Sequence, residues 1–348
     1  MKAVLLTGIR QFTIQQVSDP TIVNDTDVLI RVKMVGVCGS DIHYYKNGKI
    51  GSQVIQFPFI IGHEAAGVVE RVGNKVTRVK IGQRIAIDPT VYCANCDQCR
   101  SGRENTCRNL KFLGTPKQLN GALCEYIVLP ENCCYPISDK MTFEQAVLSE
   151  PLAIAIYSVA RSRLPDNANV AILGVGPIGM SVFCILRIKN VGNIYVTDKI
   201  QERLDFAQQL NPEWRGNPDL TDVVSEINKR EPLQLDVVYE CSGDTTAISQ
   251  AVQLLKPGGI LVLVGIPEMD EISFPIHELR RREITIINVR RQVRCTQKAI
   301  DLLKSHRVNM NAIATHHFPL EKTAEAFELV ANYRDGVMKA LIYIDKIS

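Results

Sequence analysis

Four cysteines lie close together in the N-terminal half of the chain. They are Cys93, Cys96, Cys99 and Cys107. Two residues lie between each of the first three cysteines and the next, and seven lie between the third and the fourth. Such spacing is typical of a metal site, and four thiolates form a closed tetrahedral shell that suits zinc and leaves no position for a substrate. The sequence therefore predicts a structural zinc ion. The alternatives are four unrelated buried thiols or a zinc ribbon that binds nucleic acid, which the mixed flanking charges disfavour.

A glycine-rich turn at 174–179 predicts a dinucleotide site. It lies between an apolar strand at 170–173 and an apolar helix. The glycines allow a tight turn and let a pyrophosphate approach the helix N-terminus, and this context favours a cofactor over a ligand-free turn. Asp198 ends the next strand, where a carboxylate binds ribose hydroxyls and repels a 2′-phosphate. NAD is therefore expected rather than NADP, although Lys199 and Arg203 add positive charge nearby. The residues expected to bind the cofactor are Gly174, Gly176, Pro177, Ile178, Gly179, Asp198, Arg203, Val264 and Gly265.

A third set of candidates is dispersed along the chain. Cys38, His63, Glu64 and Glu150 supply a thiolate, an imidazole and two carboxylates. These residue types can form a catalytic zinc site with one open position. Taken singly, each has an ordinary structural interpretation, such as a core thiol or a buried histidine with its hydrogen bonds satisfied.

The elements that must position these residues fall into two patterns. Up to about residue 148, short runs rich in valine and isoleucine are broken by glycine, proline and asparagine, which indicates a compact β-rich domain. From about residue 150, an apolar helix at 152–159 leads into strand–helix–strand units typical of a parallel, doubly wound sheet. Further along, the sequence predicts a turn at 256–259, an apolar strand at 283–288, a helix at 324–330 and a strand at 339–344. The fold class is therefore α/β.

Composition narrows the class of function. The chain has 348 residues, enough for two domains, and a formal net charge of +3 that gives no case for a nucleic-acid or membrane partner. The N-terminus lacks the pattern of a signal peptide, and no apolar run is long enough for a transmembrane helix. A cytoplasmic location is therefore expected, where clustered cysteines favour metal binding over disulfides.

Taken together, the motifs resemble one family nearly end to end, the medium-chain zinc-dependent alcohol dehydrogenases. The branch that the sequence resembles is that of sorbitol (L-iditol) and xylitol dehydrogenases. The segments that carry the resemblance are 36–41, 43–51, 62–67, 149–152, 174–179 and 317–322, together with the four cysteines.

The resemblance implies a GroES-like, β-rich catalytic domain at 1–150, a Rossmann NAD-binding domain at 151–288, and a return to the catalytic domain at 289–348. It implies that Cys38 and His63 bind a catalytic zinc ion, that Glu64 or Glu150 completes the protein ligands, and that Asp41 holds the far nitrogen of His63. With the structural ion, each chain would bind two zinc ions. Ser40 and His43 would relay the alcohol proton to solvent, while hydride passes to NAD.

The resemblance also implies a polyol substrate whose secondary alcohol is oxidised to a ketone. Tyr44 and Arg291 would contact this substrate, although Gln292 stands where the branch is expected to have tyrosine. The segment 211–218 also departs from the family pattern, so the strand expected there is weak. A homodimer or homotetramer is expected, through the apolar strand at 283–288. The alternatives are a threonine or sugar-phosphate polyol dehydrogenase of the same family, or a non-catalytic NAD-binding regulator.

Overall fold

The computed structural model describes residues 1–344, which fold as two compact units. The first unit comprises Met1–Glu150 and the chain from Thr296 onward, and the second is Pro151–Cys295. The sequence placed the end of the second unit at residue 288, whereas the structure places it at Cys295. The residues that follow the last strand still belong to the second unit: the Val289 N–H, for example, donates to the Leu263 carbonyl at 2.9 Å. The last four residues of the segment 289–348 lie outside the described residues.

The helices are α1 (Gly39–Asn47), α2 (Asp97–Arg100), α3 (Phe143–Arg161), α4 (Pro177–Lys189), α5 (Gln201–Gln208), α6 (Val223–Arg230), α7 (Thr245–Leu254), α8 (Ile276–Arg281), α9 (Thr296–Lys304) and α10 (Thr323–Ala331). The strands are β1 (Lys2–Gly8), β2 (Gln11–Gln16), β3 (Asp27–Gly36), β4 (Lys49–Ile50), β5 (Gln53–Val54), β6 (Glu64–Val72), β7 (Arg84–Ile87), β8 (Thr90–Val91), β9 (Lys111–Phe112), β10 (Tyr126–Pro130), β11 (Cys134–Pro136), β12 (Val170–Leu173), β13 (Ile194–Thr197), β14 (Trp214–Gly216), β15 (Leu235–Glu240), β16 (Leu255–Leu263), β17 (Thr285–Asn288), β18 (Ala314–Pro319) and β19 (Lys339–Tyr343). In this described part of the chain, no helix is both long and apolar enough to cross a membrane.

The first unit is built on a seven-stranded sheet in the order β11-β7-β6-β3-β19-β18, with β10 also paired to β3. Strand β3 is central because nearly all of its side chains are buried, as its run of valine, leucine and isoleucine predicts. The last described strand, β19, pairs antiparallel with β3 and parallel with β18. The C-terminal segment therefore completes the sheet that the N-terminal segment begins.

The second unit is a six-stranded parallel sheet in the order β14-β13-β12-β15-β16-β17. In order of the chain these strands run 3-2-1-4-5-6, which is the Rossmann order, and the chain reverses direction across the sheet between β12 and β15. A ligand of such a sheet binds outside the carboxyl ends of the strands at this reversal. The expected α/β fold class, with a β-rich domain and a doubly wound parallel sheet, is confirmed.

Three local expectations differ from the structure, two of them only in where the element begins. The helix expected at 152–159 is the C-terminal part of α3, which begins at Phe143 and contains Pro151 in its interior, where proline normally ends a helix. The residues at 256–259 do not form a turn between elements, because they are a bulge inside β16: four residues between Leu255 and Ile260 lie opposite one residue of β15. The strand expected at 283–288 begins at Thr285.

Candidate metal centres and dinucleotide site

The four clustered cysteines converge on one point. They lie around the short helix α2, and their Sγ atoms are all within 4.8 Å of one another. The Sγ–Sγ distances are 3.4 Å for Cys93–Cys107, 3.6 Å for Cys96–Cys99 and 3.9 Å for Cys96–Cys107. Tetrahedral zinc with Zn–S bonds of about 2.3 Å requires sulfur atoms about 3.8 Å apart. The arrangement therefore fits a zinc ion.

The backbone favours thiolates at this cluster. The N–H groups of Arg108 and Cys99 lower the pKa of Cys96 to about 6, because they stabilise the charged sulfur. A second backbone donor, the Cys93 N–H, lies 3.3 Å from the Cys107 Sγ. These donors favour anionic sulfur at Cys96, whereas burial raises the pKa of Cys99 to about 12, so a bound cation is needed before all four sulfur atoms are anionic.

Replacing Cys99 by serine is expected to lower the free energy of unfolding by at least about 2 kcal/mol, because a closed metal shell contributes directly to folding. Urea unfolding with and without a chelator measures this loss. The chelator should lower the free energy of unfolding of the wild-type protein. It should lower that of Cys99→Ser much less, because this variant has already lost most of the stabilisation that zinc provides. The matched control is Cys124→Ser, a buried thiol outside the cluster. Equal chelator sensitivity in Cys99→Ser and Cys124→Ser would contradict a structural site.

A second metal-like cluster forms where α1, β6 and the loop before β6 meet. Ligand atoms of Cys38, His63 and Glu64 all lie within 4.8 Å of one another. Cys38 immediately precedes α1, and Glu64 is the first residue of β6. The three residues adjoin strands β3 and β6, which share the longest ladder in the unit. The pairing of β3 with β6 therefore brings together residues that are far apart in the sequence.

Asp41 fixes the orientation of His63. Its Oδ1 lies 3.4 Å from the His63 Nδ1, and the same carboxylate accepts the Cys38 and Gly62 N–H groups at 3.2 Å each. Burial lowers the pKa of His63, but the nearby Asp41 and Cys38 outweigh that effect and raise it well above its usual value. Because Asp41 occupies the Nδ1 side of the ring, Nε2 is left to act as a ligand.

Lys339 is a site residue that the sequence analysis missed. Its ammonium group donates to both carboxylate oxygens of Glu64, at 2.7 and 2.8 Å, and to the Val37 carbonyl at 3.1 Å. Both side chains of the pair are almost wholly buried, at 2% and 1% exposure. The available signal was a single lysine within the otherwise apolar strand β19, since a charged residue in such a strand requires a buried partner.

Glu150 lies beside this cluster but outside the group of mutually close ligand atoms. It is 8% exposed and sits within α3. Burial raises the pKa of Glu150 to about 7, while the charge of His63 opposes the rise and that of Glu64 adds to it. Glu150 is therefore a carboxyl group whose charge depends on what else occupies the site.

The buried charges of the cluster do not balance. Lys339, and His63 with its raised pKa, can carry two positive charges, whereas Cys38, Asp41, Glu64 and Glu150 can carry four negative ones. Burying uncompensated charge is costly, so this site favours a bound cation. The mixture of sulfur, nitrogen and oxygen donors suits zinc and matches catalytic rather than structural zinc sites.

The residues expected to move the proton share one helix face. Ser40 and His43 are three positions apart on α1 and both are partly exposed, so they are neighbours on the helix surface. Tyr44, expected at the substrate, is 4% exposed and its hydroxyl donates to the Gln53 Oε1 at 3.2 Å. Arg291 belongs to the second unit, in the loop after β17, with a φ of 54°.

The glycine turn has the geometry that a dinucleotide requires. Gly174 has a φ of +91°, and a Cβ atom there would lie 2.8 Å from the Ser242 backbone nitrogen. A Cβ atom at Gly179 would overlap the Gly174 carbonyl. Helix α4 begins at Pro177 with Gly176 before it and no side-chain cap, so its first N–H groups face outward. This helix N-terminus is suited to a phosphate.

Asp198 is held rigidly at the end of β13. Its Oδ2 accepts the Val175 N–H of the glycine turn at 2.8 Å, and its Oδ1 accepts the Ile200 N–H at 2.9 Å. Arg203 reaches the same turn from α5: a Cβ atom at Gly176 would lie 3.0 Å from the Arg203 Nη1. A carboxylate and a guanidinium group thus flank the turn.

The loops after β15 and β16 are joined by Glu240, another residue that the sequence analysis missed. Its Oε1 accepts from the Ser242 N–H, the Ser242 hydroxyl and the Gly243 N–H at 2.5–2.8 Å. Its carbonyl accepts from the N–H groups of Val264 and Gly265 at 2.8 and 2.9 Å. These bonds hold the loops that follow β15 and β16 in place. Val264 and Gly265, both expected to bind the cofactor, lie in the second of these loops.

Comparisons with known proteins agree with these sites. Residues 24–139 match the model of the alcohol dehydrogenase GroES-like domain, and residues 177–305 match that of the zinc-binding dehydrogenases. The sorbitol dehydrogenase of Bacillus subtilis (strain 168) is 34% identical over 344 residues, which cover 99% of this chain and 97% of that protein.

Two solved structures superpose over nearly the whole chain. An alcohol dehydrogenase from Escherichia coli CFT073, complexed with NADH, has a TM-score of 0.90 and 28% identity, and the match covers 99% of each chain. A zinc-binding dehydrogenase from Sinorhizobium meliloti 1021, bound to NADP, has a TM-score of 0.89 and 26% identity, again over 99% of each chain. The chain therefore belongs to the medium-chain, zinc-dependent alcohol dehydrogenase family, and it is an oxidoreductase of that family.

Proposed function

We propose that this protein is an NAD-dependent polyol dehydrogenase that oxidises a secondary hydroxyl group to a ketone and binds two zinc ions per chain. The observation that carries the proposal is the cluster of Cys38, His63 and Glu64, in which His63 and Glu64 are buried, with Glu150 beside it and an excess of negative charge. The relative named sorbitol dehydrogenase supports the substrate class. Family membership favours an enzyme over a non-catalytic NAD-binding regulator.

Each residue of the site has a defined task in this proposal. Cys38, His63 and Glu64 would hold the catalytic zinc ion, and the four cysteines the structural one. Asp41 keeps the His63 ring oriented, and Lys339 holds the Glu64 carboxylate. A bound zinc ion would polarise the substrate hydroxyl group, and NAD would accept the hydride.

Ser40 and His43 would carry the proton away from the substrate hydroxyl group. A hydroxyl group and an imidazole three residues apart on one helix face can pass a proton outward, because both are partly exposed. Glu150, whose pKa burial raises to about 7, would gain or lose a proton near that pH and so change the charge next to His63 and Glu64. Tyr44 and Arg291 remain candidates for substrate contact.

Steady-state kinetics with NAD test the substrate class. Sorbitol and xylitol are expected to exceed ethanol and threonine in kcat/KM by at least about a hundredfold, because a site that hydrogen-bonds several hydroxyls rejects analogues lacking them. We expect oxidation at the second carbon of a five- or six-carbon polyol. The panel should also include galactitol and sugar phosphates, which represent the other substrate classes of the family. If ethanol, threonine or a sugar phosphate gave the highest kcat/KM, the polyol assignment would be wrong.

The cofactor is tested by Asp198→Ser. We expect wild-type protein to prefer NAD strongly over NADP. In this variant the ratio of kcat/KM for NAD to kcat/KM for NADP should fall by at least about tenfold. Two like charges about 4 Å apart repel by about 4 kcal/mol at an effective dielectric constant of about 20, so removing the carboxylate relieves a large repulsion. Asp205→Ser is the matched control, since that carboxylate lies on α5 and pairs with Arg215. Comparable kcat/KM for both cofactors in the wild type would refute the preference.

A homodimer or homotetramer also forms part of the proposal. Strand β17 is the last strand of the parallel sheet, so Thr285–Asn288 form one edge of that sheet. Edges of this kind are usually covered, and pairing across a two-fold axis covers them symmetrically. No nucleic-acid or membrane partner is proposed, and the cytoplasmic location remains an expectation from the sequence.

A further inference from the structure

An ion pair spans the carboxyl ends of the Rossmann strands beside Asp198. Lys199 follows Asp198 directly, and its ammonium group lies 2.6 Å from the Asp244 Oδ2 and 3.9 Å from the Asp219 Oδ1. The Lys199 carbonyl also accepts from the Asn217 side chain at 2.9 Å, which anchors its backbone. A lysine next to the ribose-binding acid is thus surrounded by carboxylates.

The position of Asp244 makes this pair a bridge. Asp244 follows β15 and caps α7, where its Oδ1 accepts the Thr246 N–H at 2.8 Å. Lys199 follows β13, and β12 lies between β13 and β15 in the sheet. The pair therefore connects the loops on either side of the strand that leads into the glycine turn, where the adenosine half of a dinucleotide binds in this fold.

We propose that Asp244 is a specificity-determining residue for the cofactor, because its pairing with Lys199 prevents that ammonium group from binding a 2′-phosphate. The preference for NAD would then depend on Asp244 as well as on Asp198. This inference rests on the proposed function, since it assumes that the chain binds a dinucleotide at this turn.

Charge and flexibility support this role. Lys199 is 50% exposed and has a four-carbon stem, so without a fixed partner its ammonium group could move to a phosphate on the neighbouring ribose. With Asp244 present, a 2′-phosphate would have to compete with that carboxylate for the lysine. It would also face the charges of Asp198 and Asp219. Arg203 also reaches the glycine turn, so three carboxylates stand against two cations and this end of the site stays negative.

The test compares two ligands that differ only in the 2′-phosphate, namely 2′,5′-ADP and 5′-AMP. Calorimetric titration gives the ratio of their affinities for wild-type protein, Asp244→Asn, Lys199→Gln and the double variant. Asparagine is a good helix cap, so α7 keeps its N-terminus, and Asp244→Ser provides a second variant with the same property. No turnover is needed, so the zinc sites do not enter the measurement.

We expect Asp244→Asn and Asp244→Ser to raise the affinity for 2′,5′-ADP relative to 5′-AMP by about tenfold, the size of a hydrogen bond between charged groups. Lys199→Gln should show no such gain, and the double variant should lose most of it, since the gain depends on the freed lysine. An unchanged ratio in both Asp244 variants would overturn the inference, and so would a full gain in the double variant.

The same titrations separate this inference from the proposed function. Wild-type protein that binds neither ligand, or that prefers 2′,5′-ADP, would refute the proposed use of NAD and this inference with it. A wild-type preference for 5′-AMP, combined with no response to either Asp244 substitution, would overturn only the role of Asp244.

Discussion

Cys38→Ser is expected to lower kcat/KM by at least about a thousandfold while the protein stays folded. A serine oxygen is a far poorer zinc ligand than a thiolate, and a catalytic metal ion contributes several kcal/mol to the transition state. Serine is, however, a preferred residue before a helix, so α1 should keep its N-terminus and the Asp41 contact with the residue-38 N–H. Steady-state kinetics and thermal unfolding measure the two effects separately.

Metal analysis completes this test. Fully reconstituted wild-type protein should contain two zinc ions per chain and Cys38→Ser one, because the four-cysteine site shares no ligand with the cluster of Cys38, His63 and Glu64. Cys124→Ser, a buried thiol away from both clusters, should retain two ions and most of its activity. Near-normal turnover in Cys38→Ser would contradict the assignment of the catalytic site.

Lys339→Met is expected to destabilise the zinc-free protein by about 3–5 kcal/mol. The substitution leaves the Glu64 carboxylate buried without its partner, and breaking a buried pair from one side costs about that much. Zinc should reduce the loss, because a cation bound at Cys38 and His63 would compensate the same carboxylate. Urea unfolding with and without saturating zinc gives both values.

Lys322→Met is the matched control for this change. Lys322 pairs with Glu325 at 3.1 Å on the surface, where both side chains are more than half exposed. Its removal should change stability by less than about 0.5 kcal/mol, as for most exposed substitutions. If Lys339→Met cost no more than Lys322→Met in the zinc-free protein, the buried pair would have no such role.

The sequence was most informative where function depends on a short segment. The four cysteines span 93–107, and the structure brings their sulfur atoms together. The glycine turn likewise carries its strand, its helix and its acid within one strand–helix–strand unit, and α4 and β13 form as expected. Local spacing suffices in these cases because the chain between the functional residues is short and regular.

What the sequence did not predict depends on distant parts of the chain. Lys339 and Glu64 are 275 positions apart, so no local pattern links them. Glu150 was identified as a candidate, but its place beside the cluster instead of within it depends on how α3 packs. The bulge at 256–259 similarly depends on β15, whose register decides whether these residues turn or continue the strand. Helix α3 continues through Pro151 although local propensity predicts a break there.

The strand order of the first unit also sets the order in which the two proposed zinc sites can be completed during protein synthesis. All four sulfur ligands have been made once the ribosome has passed residue 107, so that loop can take up its ion early. The other centre needs the ammonium group of Lys339, and β19 must pair with β3 before that group reaches Glu64. A nascent chain released before residue 339 would therefore carry a finished structural centre beside a catalytic one that still lacks the partner of Glu64. Truncated chains should show this as one tightly held zinc ion and one that a weak chelator removes.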